Sequence, residues 1–274
     1  MIPPPMEETT VKRTHRGILV WAVTVTVFAA TTGAWPTPSF GQQADDTAAV
    51  DPDATAALDQ MGAYLRTLKA LQVEVVTAEE VVLDNGLKVE FGGVTKMVAR
   101  KPDRLRVSVS SDLRERQFFY DGKQLTLWAP RVQFYATVPA PPTIGELASA
   151  LEDKYGMEFP LVDLFRWGTS SASIAAITAA VDIGPSTIND TTCEHYAFRQ
   201  EGLDWQIWIQ KGDYPLPRKL VLTTTTDEAR PQFAATYTWN LAPSFNDAAF
   251  TFNPPADAHR IVLADVSLES GGSK

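Results

Sequence analysis

Residues 73–100 read VEVVTAEEVVLDNGLKVEFGGVTKMVAR, two runs rich in β-branched residues on either side of Asn85-Gly86. Both turn residues tolerate positive φ, so the stretch predicts a long β-hairpin. The returning run changes phase at Gly92-Gly93, from Val89 and Phe91 to Val94 and Val98, which predicts a bulge and a bent sheet. Past the Lys101-Pro102-Asp103 turn, Leu105, Val107 and Val109 alternate with Arg104, Arg106 and Ser108, as in a strand with one wet face. Phe118–Tyr120, Asp121-Gly122, Leu125–Trp128, Pro130-Arg131 and the apolar positions Val132, Phe134, Ala136 and Val138 add further hairpins. Strands joined by links this short must be largely antiparallel.

Working outward, Asp51-Pro52 suits a helix start, and Ala57, Leu58, Met61, Tyr64, Leu65 and Leu68 form one apolar stripe at helical spacing. After Pro139–Pro142, Thr143-Ile144-Gly145-Glu146 predicts a capping box, followed by a face of Ile144, Leu147 and Leu151. Pro160–Trp167 and Ser173–Ala180 read as further short helices. Strands return at Glu194–Arg199, Trp205–Gln210, Arg218–Thr226, Gln232–Leu241 and Ala249–Phe252. The fold class is therefore mainly β with α (α+β). It is a curled antiparallel sheet, or open half-barrel, of about eleven strands with an N-terminal helix and a helical plug from Thr143 to Ala180.

The basic stretch before Gly17 and the apolar run to Ala34 predict an export signal over residues 1–41, with Ser39 and Gly41 placing the mature start at Gln42. An uncleaved anchor is the alternative. Either way the domain of residues 42–265 lies outside the cytoplasm, in the periplasm, with 266–274 as a disordered tail. The cleavage region has no cysteine, which excludes a lipoprotein. The formal net charge is -9 and becomes more negative once the signal is removed, which argues against nucleic acid as a partner. Cys193 is the single cysteine, so no internal disulfide can form.

The segments at residues 119–127, 205–209, 215–221 and 250–255, the last reading Phe-Thr-Phe-Asn-Pro-Pro, resemble DUF2092, a family of predicted periplasmic proteins. At the level of architecture the chain is similar to the lipoprotein carrier and acceptor proteins LolA and LolB. That resemblance implies helices lying over an apolar cavity inside a half-open barrel. No functional residue transfers with it.

Candidate sites are few. Cys193 and His195 share a strand face but lack a recognisable third group, and with His259 they are too few for a metal site without carboxylates. Glu79 and Glu80 point to opposite faces, and Glu152-Asp153 beside Lys154 reads as a solvated helix surface. No nucleophile elbow or phosphate-cradling loop is present, so neither catalysis nor a cofactor is expected. Seven Lys or Arg residues lie between Lys96 and Arg116; Arg104, Arg106, Arg114 and Arg116 form either a basic patch or the wet side of a sheet. Aromatics fall on both faces of several strands. They either fill the core or leave a cavity rimmed by Trp128, Trp167 and Trp208. The expected function is binding or carrying a hydrophobic molecule, such as a lipid or acyl chain. A protein-interaction or envelope-stress sensing module, with an envelope protein as partner, is the alternative.

Overall fold

The computed structural model describes residues 50–155, 157, 160–161, 163–167 and 174–263. The export segment, the mature start at Gln42 and the tail 266–274 lie outside them.

The Asp51 carboxylate accepts from the Asp53 amide at 2.9 Å and Pro52 occupies the first turn, so helix α1 starts there and runs Pro52–Thr67. A meander follows: β1 (Ala70–Val82), β2 (Lys88–Arg100), β3 (Arg104–Ser111), β4 (Glu115–Tyr120), β5 (Gln124–Ala129) and β6 (Phe134–Pro139). Helices α2 (Ile144–Tyr155) and α3 (Asp163–Arg166) come next. A second meander runs through β7 (Ala179–Ile188), β8 (Thr191–Gln200), β9 (Leu203–Gln210), β10 (Pro217–Thr224) and β11 (Gln232–Asn240), and the short β12 (His259–Arg260) ends the series.

These strands make one open, curled sheet in the order β12-β6-β5-β4-β3-β2-β1-β11-β10-β9-β8-β7. Every pairing is antiparallel except β12 with β6. The two meanders join where the first strand of one meets the last strand of the other, Gln72 opposite Asn240 through Glu79 opposite Phe233.

The helices cover one face, here called the inner face. Ala54, Leu58, Met61 and Leu65 of α1 pack on Tyr196, Phe198, Trp205, Ile207 and Ile209. Ile144, Leu147 and Leu151 of α2, with Leu164 of α3, pack on Val73, Met97, Leu105, Val107, Phe118 and Leu127. The Thr143 hydroxyl bridges the Glu146 amide and carboxylate, as the capping motif predicts.

Several expectations change. The β1–β2 register runs unbroken from Ala70 opposite Arg100 to Val82 opposite Lys88, so Gly92-Gly93 is not a bulge. Thr95, Met97 and Ala99 keep the odd positions inside, and Val94 and Val98 point outward. The glycines serve close approach instead. A Cβ on Gly93 would lie 2.9 Å from the Thr77 hydroxyl, and the Gly92 amide donates to the Asp112 carboxylate at 2.7 Å. The register shifts fall elsewhere, between Asp182 and Gly184 in β7 and between Pro217 and Lys219 in β10. In the first hairpin only Gly86 takes positive φ, at 81°.

The helical segment also ends sooner than expected, because Ala179 and Ala180 already belong to β7 and pair with β8. As an edge strand, β7 tolerates the Pro185 that obscures it in sequence. Ala249–Phe252 is not a strand: Asp247–Phe250 forms a 3-10 turn. With β7 and β12 added, the count among the described residues is twelve.

Candidate functional site

Register alone sets one row of inner-face side chains across the sheet. Phe91 on β2 lies opposite Glu79 on β1, which lies opposite Phe233 on β11; Leu222, Trp205 and Phe198 continue the row through β10, β9 and β8. The row has two regimes. Trp205 and Phe198 are stacked, ring centroids 4.2 Å apart, and buried beneath α1. Phe91, Glu79, Phe233 and Leu222 are only half-buried. Val81 and Val89, opposite each other further along the hairpin, are half-buried as well. Where the helices stop, the inner face continues as an apolar strip carrying one carboxylate, Glu79.

The three tryptophans singled out by sequence do not share a rim. Trp167 lies on the inner side, 5.8 Å from Trp205 between ring centroids. Trp128 and Trp208 are buried on the outer face. Trp208 packs with Cys193 and Val221, stacks on His195 at 4.0 Å and receives the Lys219 ammonium at 5.0 Å.

Trp128 belongs to an outer-face nest whose plug is Phe252. That ring stands 5.3 Å from Phe119, 5.6 Å from Trp128 and 5.2 Å from Tyr135. Nearby Phe250 is buried, in edge contact with Phe245 and under the Arg100 guanidinium, which pairs with Asp247. Residues 245–252 thus form a strap across the outer face. Sequence reading missed it, although the clustered Phe245, Phe250 and Phe252 were its one available signal.

The strap also bears on the arginines. Arg104 bonds the Asp121 carbonyl and pairs with Asp103, and Arg106 lies over the Phe119 ring at 4.9 Å, both on the outer side. Arg114 sits in the β3–β4 turn. Arg116 lies opposite Val109, on the inner face. The four are therefore split between two faces and a turn.

Cys193 and His195 do lie on one face, but their chemistry is not that of a nucleophile and its base. The thiol is fully buried, donates to the Thr191 carbonyl at 3.4 Å, and burial pushes its pKa up, the reverse of what activation needs. The imidazole Nε2 is 3.0 Å from the Gln206 side-chain oxygen. Among the described residues no three His, Cys, Asp or Glu side chains gather as a metal site.

Burial depresses the His195 pKa below its ordinary 6.5; the Lys219 ammonium adds to this, while the Gln206 hydrogen bond and Asp182 oppose it. The unfolded chain therefore binds this proton at higher pH than the folded one. Stability falls as pH drops through 6.5 and stops falling once folded His195 is itself protonated. Urea midpoints at pH 7.5 and 5.5 should differ for the native protein and differ less for His195→Gln. An unchanged difference would show that His195 is not the source.

Residues 54–264 match the family described as "Predicted periplasmic protein (DUF2092)". The chain belongs to this family. DUF2092 proteins are described as periplasmic, and that is the location of this one; no helix among its described residues is long and apolar enough to cross a membrane. A search of curated proteins finds no match to this DUF2092 chain.

Solved structures similar to it include the lipoprotein LppX of Mycobacterium tuberculosis, at 12% identity over 72% of this chain and 100% of that one, with a TM-score of 0.46. An uncharacterised conserved protein of Thermus thermophilus aligns at 12% identity over 77% and 99%, with a TM-score of 0.44. A LolA superfamily protein of Nitrosomonas europaea aligns at 10% over 73% and 97%, with a TM-score of 0.33.

Proposed function

We propose that this periplasmic protein binds a hydrophobic molecule, such as a lipid or acyl chain, on the inner face of its sheet. One observation carries the reading. Val81, Val89, Phe91, Phe233 and Leu222 extend the apolar interior beyond the helices yet remain half-buried. Covering that strip with an acyl chain removes apolar area from water on both partners, worth about 0.8 kcal/mol per methylene. The α1 cluster and the α2–α3 cluster share half-buried neighbours such as Leu68, Leu220 and Trp239, and α1 also reaches the end of α3, where Arg66 donates to the Trp167 carbonyl at 3.2 Å. Glu79 gives the strip a polar handle that favours hydroxyl or amine groups and repels carboxylates.

Delipidated protein titrated with a fluorescent acyl probe tests this. Phe91→Glu should weaken binding at least tenfold, because part of the roughly 1.5–3 kcal/mol of a fully buried phenylalanine is lost and an unpaired charge enters the strip. Circular dichroism of the variant should remain native, since Phe91 is only half-buried. If delipidated native protein binds no probe, or Phe91→Glu binds as well as the native chain, the ligand reading fails. Docking to an envelope protein then becomes the better reading.

A further inference from the structure

Past Glu79 the β1–β2 hairpin stands clear of its neighbours. Pairing of β1 with β11 ends at Glu79 opposite Phe233, and pairing of β2 with β3 begins only at Gly93 opposite Ser111. Two contacts clamp the base. The Gln232 amide donates to the Glu80 carboxylate at 2.8 Å, and the Gly92 amide to that of Asp112 at 2.7 Å. Beyond them, among the described residues, the two strands pair only with each other. From Gly93 to Leu87 this arm measures about 20 Å at the usual rise per residue.

The arm is amphipathic. Its outer face carries Glu80 opposite Glu90, with Lys88 in an ion pair with Glu80 at 2.9 Å. Val81 and Val89 oppose each other on the inner side, and alternation puts Leu83 and Leu87 on that same side at the tip. The tip is held tightly: the Leu83 amide donates to the Leu87 carbonyl and the Gly86 amide to the Leu83 carbonyl, each at 2.8 Å. Both leucines are nevertheless left in water, Leu83 41% exposed and Leu87 60% exposed.

We propose that this leucine cap docks the protein on a lipid bilayer, Leu83 and Leu87 entering the headgroup–acyl boundary. Area and shape choose a bilayer over a protein. Two leucines supply only a small part of the about 800 Å² that each partner buries in a stable protein–protein interface. A projecting tip also suits a soft plane better than a matched groove, and a periplasmic protein has bilayers on both sides. The charge chooses the lipid. Residues 79–90 hold four carboxylates, Glu79, Glu80, Asp84 and Glu90, against Lys88, which favours zwitterionic over anionic headgroups. The arm's apolar face runs on through Val81, Val89 and Phe91, so the inner strip opens toward the docked surface. Docking itself rests on the cap and not on what the strip binds.

Sedimentation with phosphatidylcholine vesicles tests this on protein purified from the periplasm. The native protein should bind them. Leu83→Glu/Leu87→Glu should bind at least tenfold less with unchanged circular dichroism, because both side chains are exposed. Ile183→Glu, a change at a residue 55% exposed on edge strand β7, should bind like the native chain. Exchanging part of the phosphatidylcholine for phosphatidylglycerol should weaken binding, and salt should restore it. Phe91→Glu, at the base of the arm, should keep vesicle binding while losing the acyl probe, so the two readings fail separately. No vesicle binding by the native protein, or undiminished binding by the double variant, overturns the proposal. Stronger binding to anionic vesicles overturns it too, by assigning the contact to basic residues elsewhere. A concentration-dependent dimer that the double variant abolishes, without vesicle binding, would give the cap to a second copy instead.

Discussion

Replacing Phe250 with alanine should destabilise the protein by about 3–5 kcal/mol, the usual cost of removing a buried phenylalanine ring. The residue is 1% exposed although it lies in a 3-10 turn that follows the last long strand. Its ring meets Phe245 edge-on at 5.2 Å and lies under the Arg100 guanidinium at 5.6 Å. Two residues later, Phe252 inserts between Phe119, Trp128 and Tyr135. Without the Phe250 ring the turn loses its anchor, and Phe245 loses its ring partner. The ion pair beside it cannot compensate, since Arg100 and Asp247 are largely solvated and such pairs contribute little. Urea denaturation with an unchanged slope measures the loss. A change below about 1 kcal/mol, against the buried-ring figure, would mean that the strap is not part of the cooperative fold.

Met61→Ala is the second large effect, expected at about 2–5 kcal/mol. Met61 is fully buried at the centre of the α1 stripe, within the cluster formed by Phe198, Trp205 and Ile207. Its removal leaves a cavity between helix and sheet that rigid strands cannot collapse to fill. The sheet should keep its far-ultraviolet dichroism while binding of an apolar dye increases, because α1 loosens from Trp205 and Ile207. Wild-type stability and unchanged dye binding would show that α1 is held by other contacts. The same dye experiment bears on ligand entry, since α1 borders the strip.

How much was legible follows from which forces are local. The α1 start at Asp51-Pro52, its stripe, the Thr143–Glu146 cap and the hairpins at Gly86 and Gly122 rest on neighbours within a few residues. All appear where the residues predict them. The alternation in β9 likewise put Trp205 and Trp208 on opposite faces. It carried no information on what covers each face, because period two is the same whether the cover is a helix, a strap or water.

Gly92-Gly93 illustrates the same limit from the other side. The apolar phase suggested a kink, but Val94 and Val98 face outward on the side that the strap crosses, so an outward valine needs no change of register. Val81, Phe91 and Phe233 were invisible as a group, being set side by side only by the β1–β2 and β1–β11 pairings.

By itself, then, the chain determined strand-forming runs, turn positions and helix caps, since those depend on backbone preferences and hydrogen bonds that close within one segment. The joining of β1 to β11, the strap over the outer face and the open strip were decided only in three dimensions. Each depends on burying apolar surface between residues distant along the chain, and that area exists only once both partners are folded.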